Sequence, residues 1–130
     1  VYGNADTNAA WKPLLKDSPV TVTREKVRIG DRTFSGDNLA CLFLRPRPGS
    51  DRANVVAVSG TGLSGSRLAN RLPYFVSGVG YPDLFLLDTR AIGKDSTGPS
   101  NPGILATGFF GDDWSFGSGD FAWRAPRDPR

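Results

Sequence analysis

The chain has 130 residues, 38% hydrophobic and 22% charged, with a formal net charge of +3, a composition typical of one globular domain with its own core. It contains no His, so no Ser-His-Asp or Cys-His site can be completed from this chain alone, which excludes most hydrolase mechanisms. Basic residues are scattered and often lie beside acids, as in Arg24-Glu25-Lys26, and no apolar run approaches the roughly 20 residues that cross a bilayer, so we expect neither nucleic-acid nor membrane binding.

The N-terminal residues predict a strand end, a turn and a helix. Val1-Tyr2 is typical of the last step of a strand, residues 3–8 are rich in turn and N-cap formers, and residues 9–15 place apolar groups at helical spacing. Pro13 is expected to kink this helix or to begin its second part. Because the chain has no Met, even at position 1, we expect it to be part of a longer product.

Three strands and a stiff connector are predicted next. Residues 19–23 and 26–29 alternate with period two, and Gly30-Asp31 then predicts a tight hairpin into residues 32–34. Residues 39–44 form a continuous apolar run, typical of a strand that is covered on both faces. The Pro-rich segment that follows is expected to be an extended connector.

Residues 54–88 predict a strand-helix-strand unit, which we expect to be parallel and right-handed. A buried strand over 54–59 enters a glycine-rich turn, and a helix follows with Leu68, Leu72 and Phe75-Val76 on one side. Residues 83–88 form the second strand. Further along, residues 93–102 predict a loop and residues 103–110 a last strand, and the chain is expected to be irregular from Gly111 onward.

These elements together predict an α/β fold for a single domain over residues 1–124, with a tail over 125–130. We expect a small, mainly parallel sheet flanked by helices, like half of a Rossmann or flavodoxin fold, with an inserted antiparallel hairpin.

The glycine turn is the strongest candidate site. Gly60, Gly62 and Gly65 have G-x-G-x-x-G spacing between a strand and a helix, the context in which backbone N–H groups bind phosphate. An acidic residue should end the next strand, and Asp88 does, 28 positions after Gly60. Three interpretations stay open: a structural turn, a phosphate- or anion-sized ligand, and a full dinucleotide, for which a second nucleotide-binding half is missing. The candidate binding residues are Gly60, Thr61, Gly62, Ser64, Gly65, Ser66 and Asp88.

The remaining reactive residue types favour structural roles. Ser59, Ser64 and Ser66 lie outside any G-x-S-x-G pattern and suit turns and helix caps. Cys41 lies in an apolar run, which favours a buried thiol, and a single cysteine permits no internal disulfide. Asp112-Asp113 has no calcium-loop spacing and is expected to be solvated. The tryptophans are expected to pack in or near the core; they are Trp11, Trp114 and Trp123.

Four stretches carry a resemblance to a protein family. They are Tyr2-Gly3-Asn4-Ala5-Asp6-Thr7-Asn8-Ala9-Ala10-Trp11, Arg45-Pro46-Arg47-Pro48-Gly49-Ser50, Arg71-Leu72-Pro73-Tyr74-Phe75-Val76-Ser77-Gly78-Val79 with Tyr81-Pro82-Asp83-Leu84, and Gly108-Phe109-Phe110-Gly111-Asp112-Asp113-Trp114-Ser115. The chain, over about residues 1–124, resembles the C-terminal region of large bacterial, planctomycete-type secreted proteins that are similar to prolyl-oligopeptidase-type α/β-hydrolases.

This resemblance implies an accessory domain that packs on a hydrolase domain or presents substrate to it. The parent would be a secreted or periplasmic peptidase or esterase whose catalytic groups lie in an upstream domain, which is the expected partner. The resemblance assigns no catalytic residue to this chain, and we expect the chain alone to be non-catalytic and to need no cofactor or metal. A module that binds a small anionic ligand at the glycine turn is the alternative.

Overall fold

The computed structural model describes residues 1–72, 81–91 and 103–124. In chain order these residues form α1 (Trp11–Leu15), β1 (Val20–Thr23), β2 (Lys26–Ile29), β3 (Arg32–Ser35), β4 (Leu39–Pro46), β5 (Asn54–Gly60), α2 (Leu63–Arg71), β6 (Leu84–Asp88), β7 (Ile104–Phe109) and β8 (Asp120–Trp123). Predictions for residues 73–80, 92–102 and 125–130 lie outside the described residues; they include Phe75-Val76 in the helix, the loop over 93–102, and the tail.

The predicted front hairpin is confirmed and belongs to a three-stranded antiparallel meander, β1-β2-β3. Val22 pairs with Val27 and Val27 with Phe34, so the alternating apolar residues share the buried face of this small sheet. Gly30 has φ +60° in the two-residue turn between β2 and β3, a backbone conformation that glycine adopts without a steric penalty.

The second sheet has five strands in the order β5-β4-β6-β7-β8, and every neighbouring pair is antiparallel. At its β5 edge, Tyr2 makes a parallel bridge with Val58, which agrees with the strand end predicted there. Pro13 lies in the first turn of α1, where its missing N–H removes no intrahelical hydrogen bond, so it does not break this short helix.

Strand β4 is the centre of the fold because it is buried on both faces, as predicted. Leu39, Cys41 and Phe43 face the larger apolar cluster, which includes Val20, Val22, Val27 and Ile29 of the meander. The alternate residues Ala40 and Leu42 face the second cluster, together with Ala69 of α2. The five-stranded sheet therefore lies between the meander and α2.

The prediction of an α/β, mainly parallel, Rossmann- or flavodoxin-like sheet is wrong. Strands β5 and β6 do run in the same direction, since both are antiparallel to β4, but β4 lies between them. A continuous apolar run indicates a strand covered on both faces, and an antiparallel strand between two layers meets that condition as well as a parallel one. The described residues thus form a β-rich fold with two short helices.

The region after Gly111 also differs from the prediction, because β8 forms there and pairs with β7 from Ala106–Trp123 to Phe109–Asp120. Its turn contains a group of packed rings: the Phe110 ring centre lies 5.0 Å from that of Phe116 and 5.4 Å from that of Phe121. Trp114 and Trp123 pack against the core as half-buried residues, and Trp11 is buried against Phe43, which confirms the packing role predicted for the tryptophans.

Candidate functional site: the glycine turn

The glycine turn joins β5 to α2 at one end of the five-stranded sheet. Gly60 ends the strand, Gly62 is the residue before the helix, and the Ser66 N–H donates to the Gly62 carbonyl at 3.0 Å in the first turn of α2. Gly62 has φ −167°, which any residue can adopt, so its backbone conformation does not require glycine. The strand-turn-helix context predicted from the spacing is present.

Close packing explains all three glycines. A Cβ on Gly60 would overlap the backbone of Ser66, one on Gly62 would overlap the carbonyl oxygen of Asp37, and one on Gly65 would overlap that of Leu39. The start of α2 therefore rests directly on the connection between β3 and β4. Glycine is needed at these positions for the helix to approach the sheet, with or without a ligand.

Two buried polar side chains hold the turn in place. Asn4, 5% exposed, donates through Nδ2 to the Gly60 carbonyl at 2.9 Å and accepts the Asp6 N–H at 2.9 Å. Thr61, 2% exposed, accepts the Leu39 N–H on Oγ1 at 3.1 Å. Because both side chains are buried and hydrogen-bonded, the turn is rigidly connected to the N-terminal segment and to β4.

Asp88 lies at the same end of the sheet, as its place at the end of β6 predicts, but β4 separates β6 from β5. Two strand spacings make this roughly 10 Å. Its Oδ1 accepts hydrogen bonds from Asn38 Nδ2 and from the Arg90 N–H, the latter at 2.9 Å. Asp88 therefore ties the end of β6 to the β3–β4 connection.

A cavity of about 340 Å³ opens beside the turn. Four of the seven predicted residues line it, namely Gly60, Thr61, Gly62 and Ser66, whereas Ser64, Gly65 and Asp88 do not. The rest of its lining comes from segments that sequence reasoning did not assign to the site: Gly3, Asn4, Thr7, Arg24, Glu25 and Asp37.

The charges around this cavity have both signs. Arg24 and Glu25 come from the β1–β2 turn, where Glu25 has φ +64° and its N–H donates to the Thr61 carbonyl at 3.0 Å. Asp37 forms an exposed ion pair with Arg90 at 3.1 Å, and such pairs contribute little stability. One cation, Arg24, and two carboxylates therefore lie on the lining.

The nucleophile candidates lie in surroundings that do not activate them. Cys41 is buried as predicted, and burial raises the pKa of its thiol to about 12, which keeps it protonated. Ser59 is fully buried, and its hydroxyl has no hydrogen-bond partner among the described residues. Ser64 is exposed at the start of α2 and accepts a hydrogen bond from Thr89 Oγ1 at 3.4 Å.

No family model, curated protein or solved structure matches this chain. Neither helix formed by the described residues is long and apolar enough to cross a membrane.

Proposed function

We propose that this chain is a non-catalytic accessory domain of a secreted or periplasmic serine hydrolase, a peptidase or esterase, and that it acts by packing against the hydrolase domain or by presenting substrate to it. The observation that carries the proposal concerns two of the stretches that resemble the hydrolase-associated family, residues 2–11 and 108–115. The contacts of their residues hold this fold together.

The first resembling stretch, residues 2–11, anchors the N-terminal segment. Asn4 joins it to the glycine turn, Asn8 donates through Nδ2 to the Tyr2 carbonyl at 2.6 Å, and Trp11 is buried against Phe43 at a ring-centre distance of 5.8 Å. Each of these contacts is a folding contact. They support a structural role for this stretch.

The stretch over 108–115 has the same character. Phe110 is buried among aromatic rings, and its N–H donates to Asp83 Oδ2 at 3.0 Å. A Cβ on Gly111 would overlap Ser118, and Asp113 accepts the Ser115 N–H at 3.0 Å. These residues shape the turn before β8, and their contacts support a scaffold role.

A fluorophosphonate probe, which labels active serine hydrolases, tests the proposal. An antibody raised against this chain should detect, in an extract of the source organism, a labelled polypeptide larger than the 14.0 kDa chain. The purified chain should remain unlabelled and should not turn over ester or peptidyl substrates. A recognised polypeptide that stays unlabelled beside labelled hydrolases would contradict the hydrolase context, and labelling of Ser59 or Ser64 in the purified chain would contradict the non-catalytic role.

A second candidate function is binding of a phosphate-sized anion, favoured by the cavity beside the start of α2 and by Arg24 on its lining. Glu25 and Asp37 lie on the same lining and oppose negative charge, and the volume of about 340 Å³ suits a single phosphate better than a much larger dinucleotide. Calorimetry with inorganic phosphate and with NAD measures this preference. Arg24→Gln should weaken phosphate binding. Arg52→Gln, a change on the exposed β4–β5 connection, is the control and should leave it unchanged. Equal weakening by the two variants, or the absence of heat at millimolar phosphate, would exclude this candidate.

A further inference from the structure

A second concave surface lies at the C-terminal end of β7, where the chain turns towards β8. This groove has a volume of about 510 Å³, and we call it the Phe109 groove. Its lining consists of Phe109, Phe110, Gly111, Asp112, Asp113, Ser118, Gly119 and Asp120. The pairing of Phe109 with Asp120 across β7 and β8 fixes its two walls relative to each other.

The loop that forms the groove is held by its own backbone. The Trp114 N–H donates to the Gly111 carbonyl at 2.8 Å, and the Gly119 N–H donates to the Phe116 carbonyl at 3.1 Å. A Cβ on Gly119 would overlap the Phe109 carbonyl oxygen, so the two walls are in contact. A partner would meet a preformed surface and would order little of it on binding.

Three exposed carboxylates surround the groove, on a chain whose net charge is positive. Asp113 is fixed by hydrogen bonds from Ser118 Oγ and from Ser115, which lower the pKa of its carboxyl to about 2, so it is ionised at neutral pH. Within the described residues, Asp112 and Asp120 form no ion pair. Arg45 does not line the groove, and its guanidinium donates to the Trp114 carbonyl at 2.5 Å.

The arrangement suits an extended organic cation better than a metal ion. The part of the chain that the structure describes holds no group of acidic, His or Cys side chains able to bind a metal. Beside the carboxylates lies the ring of Phe109, which is 55% exposed. A guanidinium can stack on such a ring while it donates to a carboxylate, whereas an ammonium is a compact and more strongly hydrated charge.

The same protein makes this kind of contact elsewhere. The Arg32 guanidinium lies 4.4 Å from the centre of the Trp123 ring, and the Arg45 guanidinium lies 5.1 Å from that of Phe110. Rings in this region of the fold therefore accept guanidinium groups on their faces.

We propose that the Phe109 groove is a docking surface for a peptide segment of a partner protein that presents arginine side chains, with Phe109 stacking on a guanidinium and Asp112 and Asp120 pairing with its charge. This goes beyond the accessory role proposed above and does not depend on it. Charge complementarity selects this occupant, since an arginine segment supplies the positive charge and the planar group that match the three carboxylates and the exposed ring of the groove.

The test is a titration of the complete ¹⁵N-labelled chain with the peptide acetyl-Gly-Arg-Gly-Arg-Gly-amide, followed by NMR. The control peptide replaces each arginine by citrulline, which is nearly isosteric and uncharged. We expect the arginine peptide to shift the amide signals of residues 109–113 and 118–120, and the citrulline peptide to leave them in place. Asp120→Asn and Phe109→Ala should each weaken binding by about two- to fivefold, as expected for exposed charge and ring contacts.

Asp51→Asn is the matched control, because Asp51 is an exposed carboxylate on the β4–β5 connection; its affinity should equal that of the unmodified chain. Any of four results would overturn the proposal: equal shifts with the two peptides, no shifts at millimolar peptide, shifts centred outside the groove, or equal weakening of binding by Asp51→Asn and Asp120→Asn. Displacement of the peptide by micromolar Ca²⁺ would also overturn it, since the groove would then be a metal site. An unchanged melting temperature of the variants shows that they are folded.

Discussion

Replacing Gly65 by Ala distinguishes between two physical effects of opposite sign. Gly65 is the third residue of α2, and helix propensity alone favours Ala over Gly by about 1 kcal/mol. The structure predicts the opposite outcome, because the added Cβ would overlap the backbone carbonyl of Leu39 at the start of the central strand β4. Overpacking of this kind costs about 1–3 kcal/mol, and backbone in a central strand cannot move aside as a flexible side chain can.

Taking about 3 kcal/mol for the overlap and subtracting about 1 kcal/mol for propensity, we expect Gly65→Ala to lower the free energy of unfolding by about 2 kcal/mol. For a chain of this length, that lowers the melting temperature by roughly 8 °C. Urea unfolding followed by tryptophan fluorescence measures the change directly, since Trp11 is buried in the core and its emission reports on unfolding.

Gly117→Ala provides the control for this experiment. A Cβ on Gly117 would meet no atom within 4 Å outside its own chain neighbours, and the φ of this residue is not positive. Alanine there should change the free energy of unfolding by less than about 0.5 kcal/mol. If Gly65→Ala were as stable as the unmodified chain or more so, the close approach of α2 to β4 would be refuted, and with it the packing explanation of the glycine spacing.

Three further predictions concern single side chains. Ser59→Ala should leave stability unchanged or raise it by up to about 1 kcal/mol, because it removes a buried hydroxyl without a partner among the described residues; a loss above about 1 kcal/mol in urea unfolding would show that the hydroxyl is used. The pKa of Asp113 is lowered to about 2 in the folded state. Its contribution to stability is therefore complete above its unfolded pKa of about 4 and is lost as the pH falls towards 2, and Asp113→Asn should remove that part of the acid dependence of unfolding. An NMR titration of its carboxyl with a midpoint near 4 would contradict this. Cys41 should resist iodoacetamide at pH 8 in the folded protein and react once urea unfolds it, because burial raises its thiol pKa to about 12; mass spectrometry of alkylation without denaturant would detect a failure of this prediction.

The local elements could be predicted where one period dominates the sequence. The alternation in 20–29 comes from a sheet with one buried face, and the apolar run in β4 comes from burial between two layers. The sequence analysis does not predict strand β8, because Asp120–Trp123 is only four residues long and adjacent to glycine. Its alternation of exposed and half-buried residues is too short to indicate a strand. Its place is determined by pairing with β7, which is a long-range contact.

The cavity beside the glycine turn could be predicted only in part, for the same reason. The turn itself is local, and its spacing is visible in the sequence. Arg24, Glu25 and Asp37 reach the cavity because the β1–β2 turn and the β3–β4 connection fold back onto Thr61 and Gly62. No spacing rule links residues that are brought together by the packing of two sheets.

The G-x-G-x-x-G spacing arises in this chain without the sheet that usually accompanies it. The glycines allow a helix to start close to the end of its strand, and that need is the same whether the neighbouring strand is parallel or antiparallel. In a doubly wound sheet the carboxyl ends of neighbouring parallel strands leave a crevice where phosphates bind. Here the neighbour of β5 is β4, which runs the other way, so the connection entering β4 lies at the same end of the sheet. The Thr61 N–H donates to the Leu39 carbonyl at 3.0 Å, and Gly62 and Gly65 lie against the backbone of Asp37 and Leu39. The backbone of the same chain therefore lies directly against the turn, and the glycine spacing serves close helix packing beside an antiparallel strand as it does beside a parallel one.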